Sequence, residues 1–411
     1  MAGFVRRMAH GNVKWFRNIL TLLVFCLLLY IYNDEECFGD DCDGDSGNSE
    51  SKSSNSAPVK QETMHLMTVS CGRPNYQGIR DVKKPLDQSL TMIKSAALFA
   101  QQRLHIHVFT EEDMAPLFEG ELESWPDSIK ARTEYSINKI DYTQLPQDLI
   151  AEWKSWYKPC GSFRLLTPML LGEKGVTDAA IYADSDVVFT KPIDQLWGKL
   201  KTFSPTEVMA IAPTAGHALG GSRYNENFIL HDTGLFQINS GVMVMNFTRI
   251  INGQWKLSYD EQGREKPGPA LGYGSELLLK YYRKYKDRAE HDQKLLNIMF
   301  HFNPEMLHQL ECSWNFKNNF CIDDGNICKH AEENGAGAVH GITSAFFGDV
   351  NPTFRALYEA FLMYNWDEDL HENLMDPFRN AVQRRGSGTY CATKYKLLAD
   401  PLEESIKSAN L

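Results

Sequence analysis

Residues 179–190, AAIYADSDVVFT, decide how this chain is read. Ala179–Ala183 and Val187–Phe189 are apolar runs of the kind that form buried strands, and Asp184-Ser185-Asp186 interrupts them where a strand would reach its C-terminal edge. Two unpaired carboxylates at such a place are costly, because burial disfavours their charge and each repels the other. A divalent cation removes both penalties. Asp184 and Asp186 offer the hard oxygen ligands that Mg²⁺ or Mn²⁺ takes, and a metal that also grips a ligand's phosphates needs few protein atoms. The competing reading is a plain Asp-Ser-Asp turn, since turns collect both residue types. The apolar flanks and residues elsewhere in the chain weigh against it.

Upstream, Met64–Ser70 (MHLMTVS) reads as a buried strand ending at Cys71-Gly72. Residues 86–100 place Leu86, Leu90, Ile93, Ala97 and Leu98 at helical spacing, and Leu104–Thr110 (LHIHVFT) alternates as a second strand. This is a β-α-β unit, whose first loop faces the ligand crevice in an open α/β sheet. His105 and His107 fall on one strand face with no acidic residue at ligand spacing, and are expected at the strand surface. Residues 132–137 form a further strand. Residues 162–171 form an amphipathic helix with Ser162 as N-cap, and its only cation, Arg164, stands where the helix start can overlie the same crevice.

Downstream, residues 208–213 and 235–247 are strand candidates. The second is broken by Asn239-Ser240-Gly241, which signals a bulge or a close approach of backbone to something such as a sugar. Residues 273–286 and Asp292–Phe302 read as helices, with His291-Asp292-Gln293 capping the second. Trp314 offers either a sugar-stacking surface or core packing. Residues 337–342 form a short strand ending in His340-Gly341: His340 is the best third metal ligand, with Gly341 beside it to admit a phosphate. Residues 353–364 close the unit as a helix.

Of the 411 residues, those from 1 to about 63 differ in composition from the rest. Residues 19–32, ILTLLVFCLLLYIY, follow Arg6, Arg7, Lys14 and Arg17 and precede an acidic run, so a single-pass signal anchor with a cytoplasmic N-terminus is expected. The division is a cytoplasmic tail over 1–18, the membrane anchor 19–32, a flexible Gly/Ser/Asn/Asp-rich lumenal stem 33–63, a catalytic domain 64–385 and a C-terminal tail 386–411. The net charge of −11 and the lack of a basic stripe exclude nucleic acid as a partner. Eight of the nine cysteines lie beyond the anchor, an even number that favours disulfides in an oxidising lumen, with at least one expected among Cys312, Cys321 and Cys328. Zinc on Cys321, Cys328 and His330 is disfavoured, as no CxxC pair accompanies them. Asn246-Phe247-Thr248 is a glycosylation sequon.

The ordered set of Arg164, the DSD after a strand, Asn239-Ser240-Gly241, Asp292-Gln293 and His340-Gly341 resembles glycosyltransferase family 8, and within it the animal glucoside xylosyltransferases, over about residues 64–366. The resemblance implies an α/β, GT-A type, Rossmann-like mixed sheet flanked by helices in a single catalytic domain. It implies retaining transfer of xylose from UDP-xylose, in α1,3 linkage, to O-linked glucose on EGF-like repeats of proteins such as Notch, in the endoplasmic reticulum or Golgi membrane. Asp184, Asp186 and His340 would then hold Mn²⁺, or Mg²⁺, against the UDP diphosphate, with Gly341 at the phosphate and Ser185 near the ribose. Arg164, Asn239, Asp292 and Gln293 would surround the donor sugar with Ser240 and Gly241, and Thr68, Val69 and Ser70 would line the uridine. One departure stands out: many family members carry a phosphate-binding Lys after the His-Gly element, and Ile342-Thr343-Ser344-Ala345 offers none. The rivals are a family 8 enzyme using another UDP-sugar or acceptor, a silent sugar-binding protein of the same fold, and a metal phosphohydrolase, which needs a larger His/Asp cluster.

Overall fold

The computed structural model describes residues 62–74, 77–155, 160–214, 237–287, 289, 291–321, 328–386 and 388–409. The expected cytoplasmic tail, anchor and nearly all of the stem lie outside them. Among the described residues no helix is long and apolar enough to cross a membrane.

A seven-stranded mixed sheet runs in the order Leu307–Gln309, Met209–Pro213, Ile238–Asn246, Ala179–Ala183, Met64–Ser70, Leu104–Thr110, Thr133–Lys139. All neighbouring pairs are parallel except those made by Ile238–Asn246, which is antiparallel to both its neighbours. The period-2 alternation of the strands builds two cores. Leu66, Ile106, Ile181 and Val244 face one side, where Met92, Ile93, Ala96 and Ala97 of the helix Lys83–Phe99 meet them. Met67, Phe109, Tyr182 and Met243 face the other, with Phe163, Leu295 and Leu296. Ala179–Ala183, buried at every position between these layers, reads as a continuous apolar run for that reason. A smaller sheet of Phe316–Lys317, Ala338–His340 and Val187–Phe189 sits at the end of the large one. It places His340 opposite Val187, directly after the DSD.

Several local expectations change. Residues 162–171 are not one α-helix: a 3₁₀ segment over Gly161–Leu166 is followed by a wider π-type turn over Pro168–Gly172. Pro168 has no N–H to continue the ladder. The preceding Cys160 is held by a disulfide to Cys71 in a left-handed conformation, φ 61°, and Ser162 donates to Trp153 O instead of capping. Of the two histidines expected at the strand surface, His105 stays partly exposed and His107 does not. They meet His65 across the strand pair, and His107 is 1% exposed.

The expected C-terminal tail 386–411 packs onto the domain. Leu398, Leu402 and Ile406 of the helix Lys396–Ser408 join Phe354, Leu357 and Phe361 in a third core, and Cys391 is bonded to Cys321. Its apolar residues are spaced among lysines and glutamates, so overall composition hides them. Cys312–Cys328 supplies the bridge expected in this region and, with Cys321–Cys391, leaves no thiolate for zinc there. Asn246 ends its strand as the N-cap of Phe247–Asn252, Oδ1 accepting from Arg249 N at 2.9 Å.

Candidate active site

The C-terminal edge of Ala179–Ala183 is pinned on both sides before any side chain acts. Asp184 N donates to Gly241 O at 2.8 Å, and Gly341 N donates to Asp186 O at 2.8 Å. These bonds bring the end of one sheet against the end of the other, with Asp184, Asp186 and His340 facing each other. His340 Nε2 lies 3.3 Å from Asp186 Oδ1 and 3.8 Å from Asp184 Oδ2, and one donor atom from each residue lies within 4.8 Å of the others. His340 Nδ1 is 2.9 Å from Asn315 Oδ1. An amide oxygen only accepts, so this bond places a proton on Nδ1 and leaves Nε2 toward the two carboxylates. Facing two carboxylates, this nitrogen is placed either to carry a proton or to coordinate a divalent cation. The set of two carboxylates and one imidazole, its second nitrogen tied to an outer amide, fits such an ion.

Asp184 divides its two oxygens between tasks. Oδ1 accepts from Tyr182 Oη at 2.6 Å and lies 3.0 Å from Arg164 Nη1, while Oδ2 is the atom turned to His340. Arg164, buried, also reaches Asp292 Oδ2 through Nε at 2.6 Å, donates to Ser240 O at 2.9 Å and lies over the Tyr182 ring at 4.8 Å. Burial works against the guanidinium's charge, but Asp184 and Asp292 outweigh it and raise the Arg164 pKa. Burial pushes the Asp292 carboxyl up, with Arg164 opposing and Asp184 adding to the shift. Asp292 is the first residue of its helix and turns to Arg164, so capping is not its task; the cap residue His291 makes no side-chain capping bond.

Asn239-Ser240-Gly241 lies within the strand Ile238–Asn246, and the pairing with Met209–Pro213 shifts register there, from Ile211–Met243 to Pro213–Ile238, so the expected bulge is present. The backbone also comes close to His340 here: a Cβ at Gly241 would lie 2.1 Å from His340 Cε1. Gln293 Oε1 accepts from Ser240 N at 3.2 Å, and Asn297 Oδ1 accepts from Ile238 N at 2.9 Å, so the helix Asp292–Phe302 clamps this strand. Asn315 Nδ2 donates to Asn239 Oδ1 at 2.8 Å, joining Asn239 to the His340 imidazole through one amide.

The remaining sequence-derived residues lie around this cluster. By register Val69 is level with Asp184, while Thr68 and Ser70 are buried, Ser70 Oγ accepting from Ser89 Oγ at 2.9 Å. Ser185 is buried between its two aspartates. The side-chain direction at Gly341 is occupied by the Phe346 ring, 2.5 Å from an added Cβ. Trp314 is a core residue pressed on Gly337. Just beyond, Thr343 and Ser344 hold left-handed φ values of 51° and 63°, a local strain of the kind that gathers at functional sites.

Three residues of the site escape sequence reasoning. Tyr182 looks like any strand aromatic, and Asn315 like any loop amide; only the tertiary contacts reveal them. Lys317 is the third. It is fully buried opposite His340 in register, burial pulls its pKa down to about 7, and its ammonium donates to Pro213 O at 3.1 Å. A lysine directly after Phe316 in the FKNNF segment was the available signal.

No family model matches the chain. Glucoside xylosyltransferase 2 of Xenopus laevis is 35% identical over 352 residues, which are 85% of this chain and 76% of that protein. Glucoside xylosyltransferase 1 of Rattus norvegicus is 36% identical over 349 residues, 84% and 73% of the two. Among solved structures, the galactosyltransferase LgtC with donor and acceptor sugar analogues is 13% identical with a TM-score of 0.49, covering 76% of this chain and all of that one. The apo form of mouse xyloside xylosyltransferase 1 is 16% identical with a TM-score of 0.47, over 69% of this chain and 98% of that one.

Proposed function

The chain belongs to the glucoside xylosyltransferase family and is a glycosyltransferase, and from that premise we propose that it moves xylose from UDP-xylose to O-linked glucose on EGF-like repeats, in α1,3 linkage with retention. The observation that carries this reading is the convergence of Asp184, Asp186 and His340 beside the buried Arg164–Asp292 pair. Asp184, Asp186 and His340 would hold Mn²⁺, or Mg²⁺, which would supply Lewis-acid stabilisation of the negative charge on the departing UDP.

The protein's own groups divide the remaining work. Arg164 already faces two carboxylates, so its role is positioning: it fixes Asp184 Oδ1 and holds Asp292 in place. Gln293 spends its amide oxygen on Ser240 N and keeps its NH₂ to donate to a sugar hydroxyl; Asn239, oriented by Asn315, lines the same pocket. Thr68, Val69 and Ser70 border the uridine, and Ser185 the ribose. Lys317, a buried cation bonded to a carbonyl rather than a carboxylate, supplies the positive charge toward the diphosphate that the Ile342–Ser344 segment lacks.

Retention requires either a nucleophile or departure and attack on one face. Asp292, in contact with a guanidinium at 2.6 Å, is a weakened nucleophile, and Gln293 is a neutral amide, so the same-face route assisted by the departing UDP oxygen is favoured. The catalytic part faces the lumen of the endoplasmic reticulum or Golgi behind the anchor at 19–32, and protease protection in intact microsomes tests that placement.

The deciding experiment offers a panel of UDP-sugars with an O-glucosylated EGF-like domain and reads the product linkage by NMR. Preferred use of UDP-xylose with an α-linked product supports the proposal. A β-linked product removes retention, preference for another donor removes the xylose assignment, and a pentosyl adduct on Asp292 replaces the same-face route.

A further inference from the structure

A second group of ligating side chains stands away from this site. His65 and His105 are register partners on Met64–Ser70 and Leu104–Thr110, and His107 follows two positions on, so the three imidazoles share one sheet face. One ring nitrogen from each lies within 4.8 Å of the others. Leu66 pairs with Ile181, which puts His65 level with Ala180; Asp184 is four residues farther, about 13 Å along the strand. His65 Nδ1 and His107 Nε2 are 2.9 Å apart, and the Nδ1 of the buried His107 has no hydrogen-bond partner. Leaving that nitrogen unpaired costs stability.

We propose that His65, His105 and His107 form a second metal site, which takes one Zn²⁺-class ion and cross-links the first two strands of the sheet. Three imidazoles are a donor set zinc accepts, with water in the fourth position, whereas Mn²⁺ and Mg²⁺ favour oxygen. The two sites therefore sort metals by donor chemistry. His105 Nδ1 lies 3.9 Å from Glu134 Oε2 and its Nε2 2.8 Å from Ser136 Oγ; one of these nitrogens turns to the metal, and the other keeps its third-strand partner as an outer-shell orienting contact. Burial keeps all three rings below their ordinary pKa, hence neutral and able to ligate at neutral pH. The rings are stacked, His105 on His107 at 4.2 Å and 17°, His65 on His107 at 5.2 Å and 15°. Loading turns them about Cβ–Cγ and draws the donors to about 3.4 Å apart, the spacing that bonds of about 2.1 Å impose in a tetrahedral site. The His105 side chain, 21% exposed, provides the way in.

The test uses the full-length chain in detergent, stripped by chelator and returned to excess Mn²⁺, then titrated with Zn²⁺ by calorimetry with bound metal counted after gel filtration. One tightly held equivalent of Zn²⁺ is expected, retained in Asp186→Asn and weakened about 100-fold or more in His105→Gln, at or beyond the 10–100-fold range of outer-shell changes. Zn²⁺ should also raise the unfolding temperature of the parent but not of His105→Gln, whose Mn²⁺-supported transfer stays unchanged. No uptake beyond the acidic site, or an equivalent that survives in His105→Gln, overturns the proposal and leaves the histidines as a hydrogen-bonded stack. His65→Gln repeats the test if His105→Gln does not fold.

Discussion

Gly241 and His340 meet so closely that no side chain fits between them: a Cβ on residue 241 would stand 2.1 Å from the imidazole Cε1 and 2.5 Å from Nδ1. Gly241→Ala therefore displaces His340 without touching any ligand residue. Its Mn²⁺ affinity should fall about 10–100-fold, as for a lost outer-shell constraint, with transfer falling in parallel and the unfolding transition still cooperative. Calorimetric titration with Mn²⁺ alongside the transfer assay checks this; unchanged affinity would show that His340 is not a ligand.

Asn315 fixes the His340 tautomer through Nδ1 and holds Asn239 with its other end. Asn315→Ala should weaken metal affinity about 10–100-fold and raise KM for the donor. If only KM moved, the tautomer argument would fail while the link to Asn239 survived.

Removing Arg164 leaves Asp292 as an unpaired buried carboxylate beside Asp184. Arg164→Met should cost about 3–5 kcal/mol of stability, the range for breaking a buried ion pair. Arg164→Lys should recover only part, because one ammonium cannot replace a fork that reaches Asp184, Asp292 and Ser240 O together. Urea unfolding of the two variants gives the answer; full recovery by lysine would contradict the geometry.

The histidine face has a pH signature of its own. Burial lowers His65 to about 4, with His105 adding and Glu134 opposing; burial, then His105 and His65, lowers His107 to about 3. Below the unfolded value of about 6.5 the unfolded chain binds more protons than the native one. The stabilisation is thus complete above about pH 6.5 and is lost as pH falls from there toward 3–4, with a slope of up to about 1.4 kcal/mol per unit for each histidine. Urea midpoints in chelator at pH 7 and pH 5 measure it, and His65→Gln should flatten the dependence. An equal slope in that variant would assign the effect to other groups.

Lys317 offers a comparison of charge with packing. Lys317→Met keeps the buried stem and removes the ammonium, so KM for the UDP-sugar should rise about tenfold or more, the loss of one charged hydrogen bond at roughly 1.5–3 kcal/mol, while stability holds or improves. A variant with unchanged KM would place Lys317 in the scaffold alone.

Much of this could be read from the chain itself. Period-2 apolar runs located Met64–Ser70 and Leu104–Thr110 to the residue, and the DSD was conspicuous because charge inside a buried strand demands a reason. Arg164 and His340 also stood out from their apolar surroundings, whereas Asp292 read as a helix cap and gained a site role only through the family resemblance. Tyr182, Asn315 and Lys317 act through contacts between segments far apart in sequence, so no local pattern marks them. His107 was misplaced because His65 lies about forty positions upstream of it, and only parallel pairing brings the two together. Residues 388–409 were underrated because apolar residues spaced among charges resemble a solvated face until a neighbouring core is present to receive them.

The Cys71–Cys160 bond ties the end of the first strand to the turn that carries Arg164, with 89 positions between the two sulfurs. A ribosome adding about 5–20 residues per second delivers the second cysteine roughly 4–18 s after the first. Throughout that interval Cys71 is a thiol without its proper partner, on a strand whose other neighbour, Ala179–Ala183, has not yet been made. In that window the nascent chain depends on the thiol-exchange machinery around it. Slowing translation between codons 72 and 160 should increase mispaired species more than the same delay placed after codon 160.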